Sequence, residues 1–173
     1  MKLRLDLAGI IVQLQIRKYD PELKGDYCTG WCKTDFSFSS EPWLNYAQDD
    51  AEVFLSSEVA DLYTALNQLL QDELTEEKMF ECIEPDFNFI LQPKFDVRNN
   101  PKVLYVKPGH EIVDITMEWT VSFWNEGLTA NYLSVSLNRE EIQHLCNYLG
   151  LVTGQLREAD TVILNMINAG VLI

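Results

Sequence analysis

The chain has 173 residues, of which 47% are apolar and 23% charged, as is typical of one globular domain with its own core. Its 13 Lys and Arg residues are outnumbered by 27 Asp and Glu, which leaves a net charge of −14. A surface with this charge repels nucleic acid phosphates and anionic membranes, so we expect neither as a partner. A cationic protein partner suits the charge better.

The N-terminal segment and the cysteines favour a cytoplasmic location. Residues 1–7 alternate apolar with charged side chains, whereas a signal peptide needs an unbroken apolar stretch. In the reducing cytosol we expect free thiols at Cys28, Cys32, Cys82 and Cys146. Cys28 and Cys32 could form half of a zinc site, but their spacing is at the wide end and no second Cys pair or His pair follows. We therefore predict no bound metal and no cofactor.

Hydrophobic periodicity predicts the secondary structure in chain order. Alternation of apolar and polar residues predicts strands at 3–7, 12–16, 32–38, 51–55, 79–83, 87–91, 113–123 and 132–137. Apolar residues at steps of three and four predict helices at 57–73, 139–149 and 156–167. Ser56 or Ser57 is placed to cap the first helix and Asn138 the second, which we expect Gly150 to end.

The order of these elements predicts the fold class. Consecutive strands joined by short turns favour a mostly antiparallel sheet, with two or three helices on one face, in a single α+β domain over residues 1–173. Residues 155–173 form a tail that is partly helical. Its apolar end, residues 171–173, needs shelter, which it finds either on the domain or against a second copy in a homodimer.

The sequence contains no recognisable catalytic arrangement. Its two histidines, His110 in a turn and His144 on the polar side of the second helix, read as surface residues. It lacks the glycine patterns that hold phosphate, and it lacks HExxH and EF-hand motifs. With 27 acids in the chain, neighbouring carboxylates are too common to indicate a general acid or base. We assign no catalytic residue and predict that the protein is not an enzyme.

The negative charge is concentrated in residues 41–86, the acidic segment. It holds 13 acids and one base, Lys78, and so carries −12 of the net −14. Four acids lie at the C-terminus of the first helix and just beyond it, where the helix dipole opposes them and where they repel one another; they are Asp72, Glu73, Glu76 and Glu77. This cluster predicts a surface for a cationic partner. A solvated acidic face is the alternative reading.

Aromatic residues near the acidic segment are candidate anchors for the partner. Trp43 and Tyr46 lie within the segment, and Trp124 lies on the predicted solvent face of its strand beside a hairpin loop. Ordinary packing is the alternative for each of them. The predicted partner-binding set comprises Trp43, Tyr46, Asp49, Asp50, Asp72, Glu73, Glu76, Glu77 and Trp124.

Several blocks of sequence look like one known family. Residues 54–62, 83–89 and 123–142 resemble the WapI-type immunity proteins of bacterial polymorphic-toxin systems, and the likeness spans roughly residues 43–150. The resemblance implies a small cytosolic protein that binds and neutralises a cognate toxin domain, commonly a nuclease, and it brings no catalytic residues. Two other classes remain open: a ligand-binding or enzymatic α+β domain with a hidden pocket, and a structural protein that self-associates through edge strands or its tail.

Overall fold

A computed structural model describes residues 1–23 and 30–173, so Cys28 lies outside the described residues. Within them the helices are α1 (Ser56–Leu70), α2 (Arg139–Val152) and α3 (Thr161–Asn168). The strands there are β1 (Leu3–Leu7), β2 (Ile10–Arg17), β3 (Lys33–Ser40), β4 (Leu44–Ala51), β5 (Lys78–Glu81), β6 (Phe87–Gln92), β7 (Phe95–Asp96), β8 (Ile112–Val113), β9 (Thr116–Trp124) and β10 (Leu128–Leu137).

The strands divide between two main sheets. The first sheet has the order β1-β2-β3-β4, the second has the order β10-β9-β6-β5, and β7 and β8 form a small separate ladder. Every pair of neighbouring strands is antiparallel. The predicted α+β class and the antiparallel pairing are confirmed. The division into two sheets was not predicted: α1 follows the last strand of the first sheet and leads into the second.

Aromatic side chains join the inner faces of the two sheets. The ring centroids of Phe36 and Phe87 are 4.8 Å apart, and those of Phe38 and Trp119 are 5.4 Å apart, both in edge-to-face geometry. This geometry is the preferred one for aromatic pairs. Because side chains alternate along a strand, residues between these positions point to the outer faces. The core therefore leaves the outer face of the second sheet available for other roles.

The helices pack on each other and on both sheets. Helix α1 contacts α2 and β6, while α2 also contacts β1, β9 and β10. The hydroxyl oxygen of the buried Tyr148, on α2, accepts a hydrogen bond from the backbone N–H of Ile16 at 2.7 Å. Across the described residues, no helix has the length and apolar character that crossing a bilayer requires.

The start of α1 differs from the prediction, because no serine caps it. The Ser56 hydroxyl instead accepts a hydrogen bond from the backbone N–H of Asp20 at 3.1 Å. The start of the helix is instead held by the buried Glu58 carboxylate. It accepts hydrogen bonds from the backbone N–H groups of Leu55 at 2.8 Å and Ile83 at 2.7 Å. Glu58 thus ties the first turn of α1 to the chain between β5 and β6. Burial is the main cause that raises the pKa of Glu58.

The predicted cap of α2 is confirmed, but its predicted end is wrong. The Asn138 side chain accepts the backbone N–H groups of Glu140 and Glu141 at 2.9 and 3.1 Å. The helix continues through Gly150 to Val152. A Cβ at Gly150 would lie 3.0 Å from side-chain atoms of both Leu156 and Tyr63. The glycine is therefore needed for close packing rather than to end the helix.

Two further predicted boundaries are wrong. The predicted strand at 51–55 is replaced by β4, which ends at Ala51, while Val53 and Phe54 are buried outside any regular strand. The predicted third helix at 156–167 begins only at Thr161. Before it, the backbone N–H of Arg157 donates to the Asp160 carboxylate at 2.8 Å and forms a turn.

The C-terminal residues dock on the domain, which is the first of the two predicted alternatives. Lys2 and Ile173 exchange two backbone hydrogen bonds, of 2.7 and 3.0 Å, and the N–H of Arg4 donates to the carbonyl of Val171 at 2.8 Å. Leu172 is only 2% exposed. Residues 171–173 therefore extend the first sheet beyond β1, and a second copy is not required to shelter them.

Candidate partner-binding surface

The predicted acidic cluster after α1 is partly neutralised by a distant arginine. Arg139, the first residue of α2, forms ion pairs with Asp72 at 2.6 Å and Asp114 at 2.7 Å. It also donates to the carbonyl of Leu70, in the last turn of α1, at 2.9 Å. Lys94 lies 3.9 Å from Asp72. The expectation that Asp72 is tolerated against its local electrostatics is therefore wrong, because Arg139 compensates both the carboxylate and the helix end.

The other members of the cluster lie at the surface. Glu73, Glu76 and Glu77 are exposed, and the Glu77 carboxylate accepts a hydrogen bond from the side-chain amide of Gln92 at 2.6 Å. Their exposure fits the predicted surface for a cationic partner and fits a solvated acidic face equally well.

Asp49 and Asp50 lie at the end of β4, both exposed. Asp50 forms an ion pair with Arg17 at 3.2 Å, and its backbone N–H donates to the Asp35 carboxylate at 2.8 Å. The Asp35 carboxylate also pairs with Arg17. These hydrogen bonds lower the pKa of Asp35, the one from the Asp50 backbone most of all. Asp50 therefore has a structural role, and Asp49 retains an exposed side chain.

The three predicted aromatic anchors differ in exposure. Trp43, in the turn between β3 and β4, is 63% exposed. Tyr46 is half-buried, with its ring centroid 4.6 Å from that of Phe123 and its hydroxyl oxygen accepting the backbone N–H of Trp124 at 3.2 Å. Trp124 is itself half-buried, and its indole nitrogen is buried, so the prediction that it lies on a solvent face is only partly right. The contacts of Tyr46 are those of a packing residue.

The predicted residues thus fall into three groups with different neighbours. The first group is the aromatic set near the ends of β4 and β9, the second is Asp49 and Asp50 beside Arg17, and the third is the cluster beside Arg139. No contact given by the structure joins one group to another within the described residues.

Sequence reasoning missed a groove on the outer face of the second sheet. It has a volume of about 480 Å³ and is lined by Glu81, Cys82, Pro85, Phe87, Asn88, Thr120, Ser122 and Tyr132. The strand register brings these residues together: Glu81 is opposite Asn88, Asn88 is opposite Thr120, and Tyr132 is opposite Ser122. One row of side chains therefore crosses β5, β6 and β9, and the exposed ring of Tyr132 stands beside it on β10.

The acidic residues around this groove lack cationic neighbours. In residues 1–23 and 30–173, no basic side chain forms an ion pair with Glu81, Glu84 or Asp86. Asp86 is only 8% exposed. Burial, and then the charge of Glu84, raise the pKa of Asp86, while the nearby Trp124 indole acts in the opposite direction. The surroundings of Asp86 therefore disfavour its ionised form in the free protein.

The groove also contains an amide without a hydrogen-bond donor. The Asn88 Oδ1 atom is buried and accepts no hydrogen bond from the described residues. The hydroxyl of Thr120, opposite Asn88 on β9, donates its hydrogen bond to the Ser134 hydroxyl at 3.3 Å. A buried amide oxygen without a donor costs free energy, so a hydrogen bond from an incoming N–H group would be stabilising here.

The cysteines and histidines of the described residues give no sign of a reactive centre. Burial raises the pKa of the Cys82 thiol beside the groove and raises that of Cys146 to about 12. Thiols with such pKa values stay protonated and are poor nucleophiles. His110 is exposed in the loop between β7 and β8, whereas His144 is half-buried on α2. In the described part of the chain no group of three His, Cys, Asp or Glu residues is arranged to hold a metal ion.

A comparison with protein families identifies the family of this chain. The model of the immunity protein WapI-like family matches residues 4–155, most of the 173 residues. The chain belongs to this family. The WapI-like region includes nearly all of the first sheet, the whole second sheet with its groove, and α2, so the resemblance expected for residues 43–150 is confirmed and extends further toward the N-terminus. Helix α3 and residues 171–173 follow the matched region. No curated protein matches the chain.

Proposed function

We propose that this chain is an immunity protein that binds a basic toxin domain, such as a nuclease, in the cytoplasm and neutralises it by association. The observation that carries the proposal is the WapI-like match over residues 4–155. The charge distribution supports it, because most of the net −14 lies in residues 41–86. A negative surface accelerates the encounter with a positively charged partner and disfavours partners of the same sign.

The sequence-predicted residues would contribute to this function in different ways. Trp43, Asp49, Glu73, Glu76 and Glu77 have exposed side chains that a partner can reach. Asp50 and Asp72 already pair with Arg17 and Arg139, so they add mainly to the long-range field. Tyr46 and Trp124 are half-buried and would support the surface rather than insert into a partner.

Binding without catalysis is the better-supported reading. An enzymatic alternative predicts an apolar cavity with a reactive or strongly perturbed group in it. The groove has a mixed polar and apolar lining, and burial raises the pKa of its one thiol, Cys82, which therefore stays protonated and is a poor nucleophile. Self-association through the tail loses its main argument, because residues 171–173 already pair with their own β1.

Neutralisation in cells tests the proposal. We expect the neighbouring gene to encode a large secreted protein with a basic C-terminal toxin domain. That domain is expressed from an inducible promoter, with or without this chain. We expect growth arrest with the domain alone, growth when the chain is co-expressed, and co-purification of the two proteins. A toxic domain that still arrests growth and does not co-purify with the chain contradicts the proposal. The same domain from an unrelated strain serves as the specificity control.

A further inference from the structure

We propose that the groove between β5 and Tyr132 binds an arginine side chain of the toxin domain. This contact would anchor the complex. The inference rests on the proposed function and names the site within it. The groove lies on a sheet face whose side chains at Glu118 and Ser134 are exposed, and it has a volume of about 480 Å³. Its chemistry, rather than its size, indicates the occupant.

Three different groups of the groove suit a guanidinium. Glu81 supplies an exposed carboxylate that no basic side chain of the described residues pairs with. Asn88 supplies a carbonyl oxygen with no donor. Tyr132, with 68% of its surface exposed, supplies an aromatic face. A guanidinium carries five N–H donors in a planar fork and also stacks on aromatic rings, so one side chain can satisfy all three.

The strand register makes this combination possible. Glu81 and Asn88 are directly opposite each other on β5 and β6, and side chains in that relation are close neighbours. The Asn88 oxygen is buried in the free protein, but no hydrogen bond holds it there. Rotation about the terminal torsion of an asparagine is soft, so the amide can turn its oxygen toward an incoming donor.

Electrostatics distinguish the groove from those carboxylates of the acidic segment that the fold has already paired. Asp50, Glu52 and Asp72 each pair with a basic side chain of the same chain, whereas Glu81, Glu84 and Asp86 have no such pair among the described residues. A cation in the groove would therefore meet negative charge that the fold has not compensated. It would also favour the ionised form of Asp86, which burial disfavours in the free protein.

Two isosteric substitutions with matched controls test the anchor. Glu81→Gln removes the charge and Asn88→Leu removes the acceptor. Glu118→Gln on the same outer face and Asn165→Leu on the exposed side of α3 make the same chemical changes outside the groove lining. Dissociation constants and rates are measured by surface plasmon resonance with the toxin domain encoded by the neighbouring gene. Thermal unfolding checks the fold of every variant.

We expect Glu81→Gln and Asn88→Leu each to weaken binding about ten- to a hundredfold, mainly through faster dissociation, because each removes a partner of a charge-assisted hydrogen bond. The two controls should stay within about twofold of wild type. Wild-type affinity in both groove variants overturns the anchor and leaves the proposed function standing. Failure of the wild-type chain to bind or protect overturns both. Should Asn88→Leu not fold, Glu81→Gln alone decides, since its side chain is exposed.

A probe titration separates a protein partner from a free small cation. N-acetyl-arginine amide is added to the isolated chain while the amide NMR signals of Asn88 and Thr120 are followed. A lone side chain brings few contacts, so we expect these signals to shift only at millimolar concentrations. Saturation at micromolar probe would show a small-molecule site and overturn the proposal. No shift of either signal at any concentration would also overturn it.

Discussion

The stretch from Asp72 to Asp86, within the acidic segment, uses carboxylates in opposite ways at its two ends. After α1, Asp72 is held by Arg139 and Lys94, and Arg139 also binds the end of the helix. Before β6, Glu84 and Asp86 have no basic partner in the described residues, and burial, followed by the charge of Glu84, raises the pKa of Asp86. The first end of the stretch stabilises the fold, whereas the second leaves negative charge available to another molecule.

The difference shows that a local excess of charge does not by itself mark a binding surface. Arg139 lies 67 residues after Asp72 in the chain, so the sequence around Asp72 gives no sign of its partner. Uncompensated carboxylates that stay near one another lower the stability of the free protein, and a cationic partner can recover that free energy. The contrast between the ends leads to four predictions.

The largest effect is expected from breaking the compensated end. Arg139→Met keeps an apolar stem but removes the contacts to Asp72, Asp114 and the Leu70 carbonyl. We expect the free energy of unfolding to fall by about 2 kcal/mol, since the site is partly exposed and the charged hydrogen bonds are screened. Urea denaturation measures it. Arg157→Met, on an exposed residue, is the control and should stay within about 0.5 kcal/mol. Equal losses in the two variants would show that Arg139 has no special role.

The next effect concerns Glu58, which links α1 to the chain leading into the groove. In Glu58→Gln only one oxygen remains to accept the N–H groups of Leu55 and Ile83, and the new NH₂ group faces the other donor. We expect a loss of about 1 kcal/mol at pH 7, because removing a buried charge offsets part of the lost hydrogen bond. Urea denaturation measures this loss as well. A variant as stable as wild type would show that the second hydrogen bond contributes nothing.

Acidification should stabilise the uncompensated end. The pKa values of Glu58 and Asp86 are raised in the folded state, so that state binds protons more tightly than the unfolded chain. The free energy of unfolding should therefore rise as pH falls from 7 toward about 5. Below about pH 4 the trend should reverse, since Asp35 and Asp114 have lowered pKa values and lose their partners on protonation. Denaturation across pH 3–8 tests this order. A steady fall from pH 7 downward would contradict it.

The smallest effect on stability, and the most informative for binding, comes from matched charge reversals. Glu73→Lys with Glu76→Lys, and Glu81→Lys with Glu84→Lys, change the net charge equally. We expect either pair to change stability by no more than about 0.5 kcal/mol. At low salt, both should slow association with the toxin domain roughly threefold to tenfold, but only the groove pair should also speed dissociation. Identical kinetics for the two pairs would remove the distinction between the ends.

Local signals in the sequence were enough to predict much of the fold. Alternation identified β1, β6 and β9, and the Asn138 cap depends on residues within one turn of it. The strand β4 was misplaced because Gln48, Asp49 and Asp50 interrupt its alternation, and its pairing with β3 decides its position. Gly150 was misread for a similar reason, since Tyr63 and Leu156 determine its role from outside the helix.

The groove was harder to predict than the fold. Its residues come from β5, β6, β9 and β10 and from the turn before β6, and most of them are polar types that are common at solvent-facing positions. Only the register that sets Glu81 opposite Asn88 and Tyr132 opposite Ser122 assembles them. The charge excess of residues 41–86 includes the acids of the groove, but it drew attention to Asp72, which the fold had already paired.

Pairing of residues 171–173 with β1 has a mechanical consequence. Lys2 and Ile173 are direct partners in an antiparallel arrangement, so the two ends of the chain leave the sheet side by side. A force that pulls these ends apart loads the backbone hydrogen bonds one after another, as in unzipping, rather than all together. In an optical trap with handles at residues 1 and 173, the C-terminal residues should therefore peel away first, in a small low-force step. The aromatic contacts between the sheets should yield only later and at higher force.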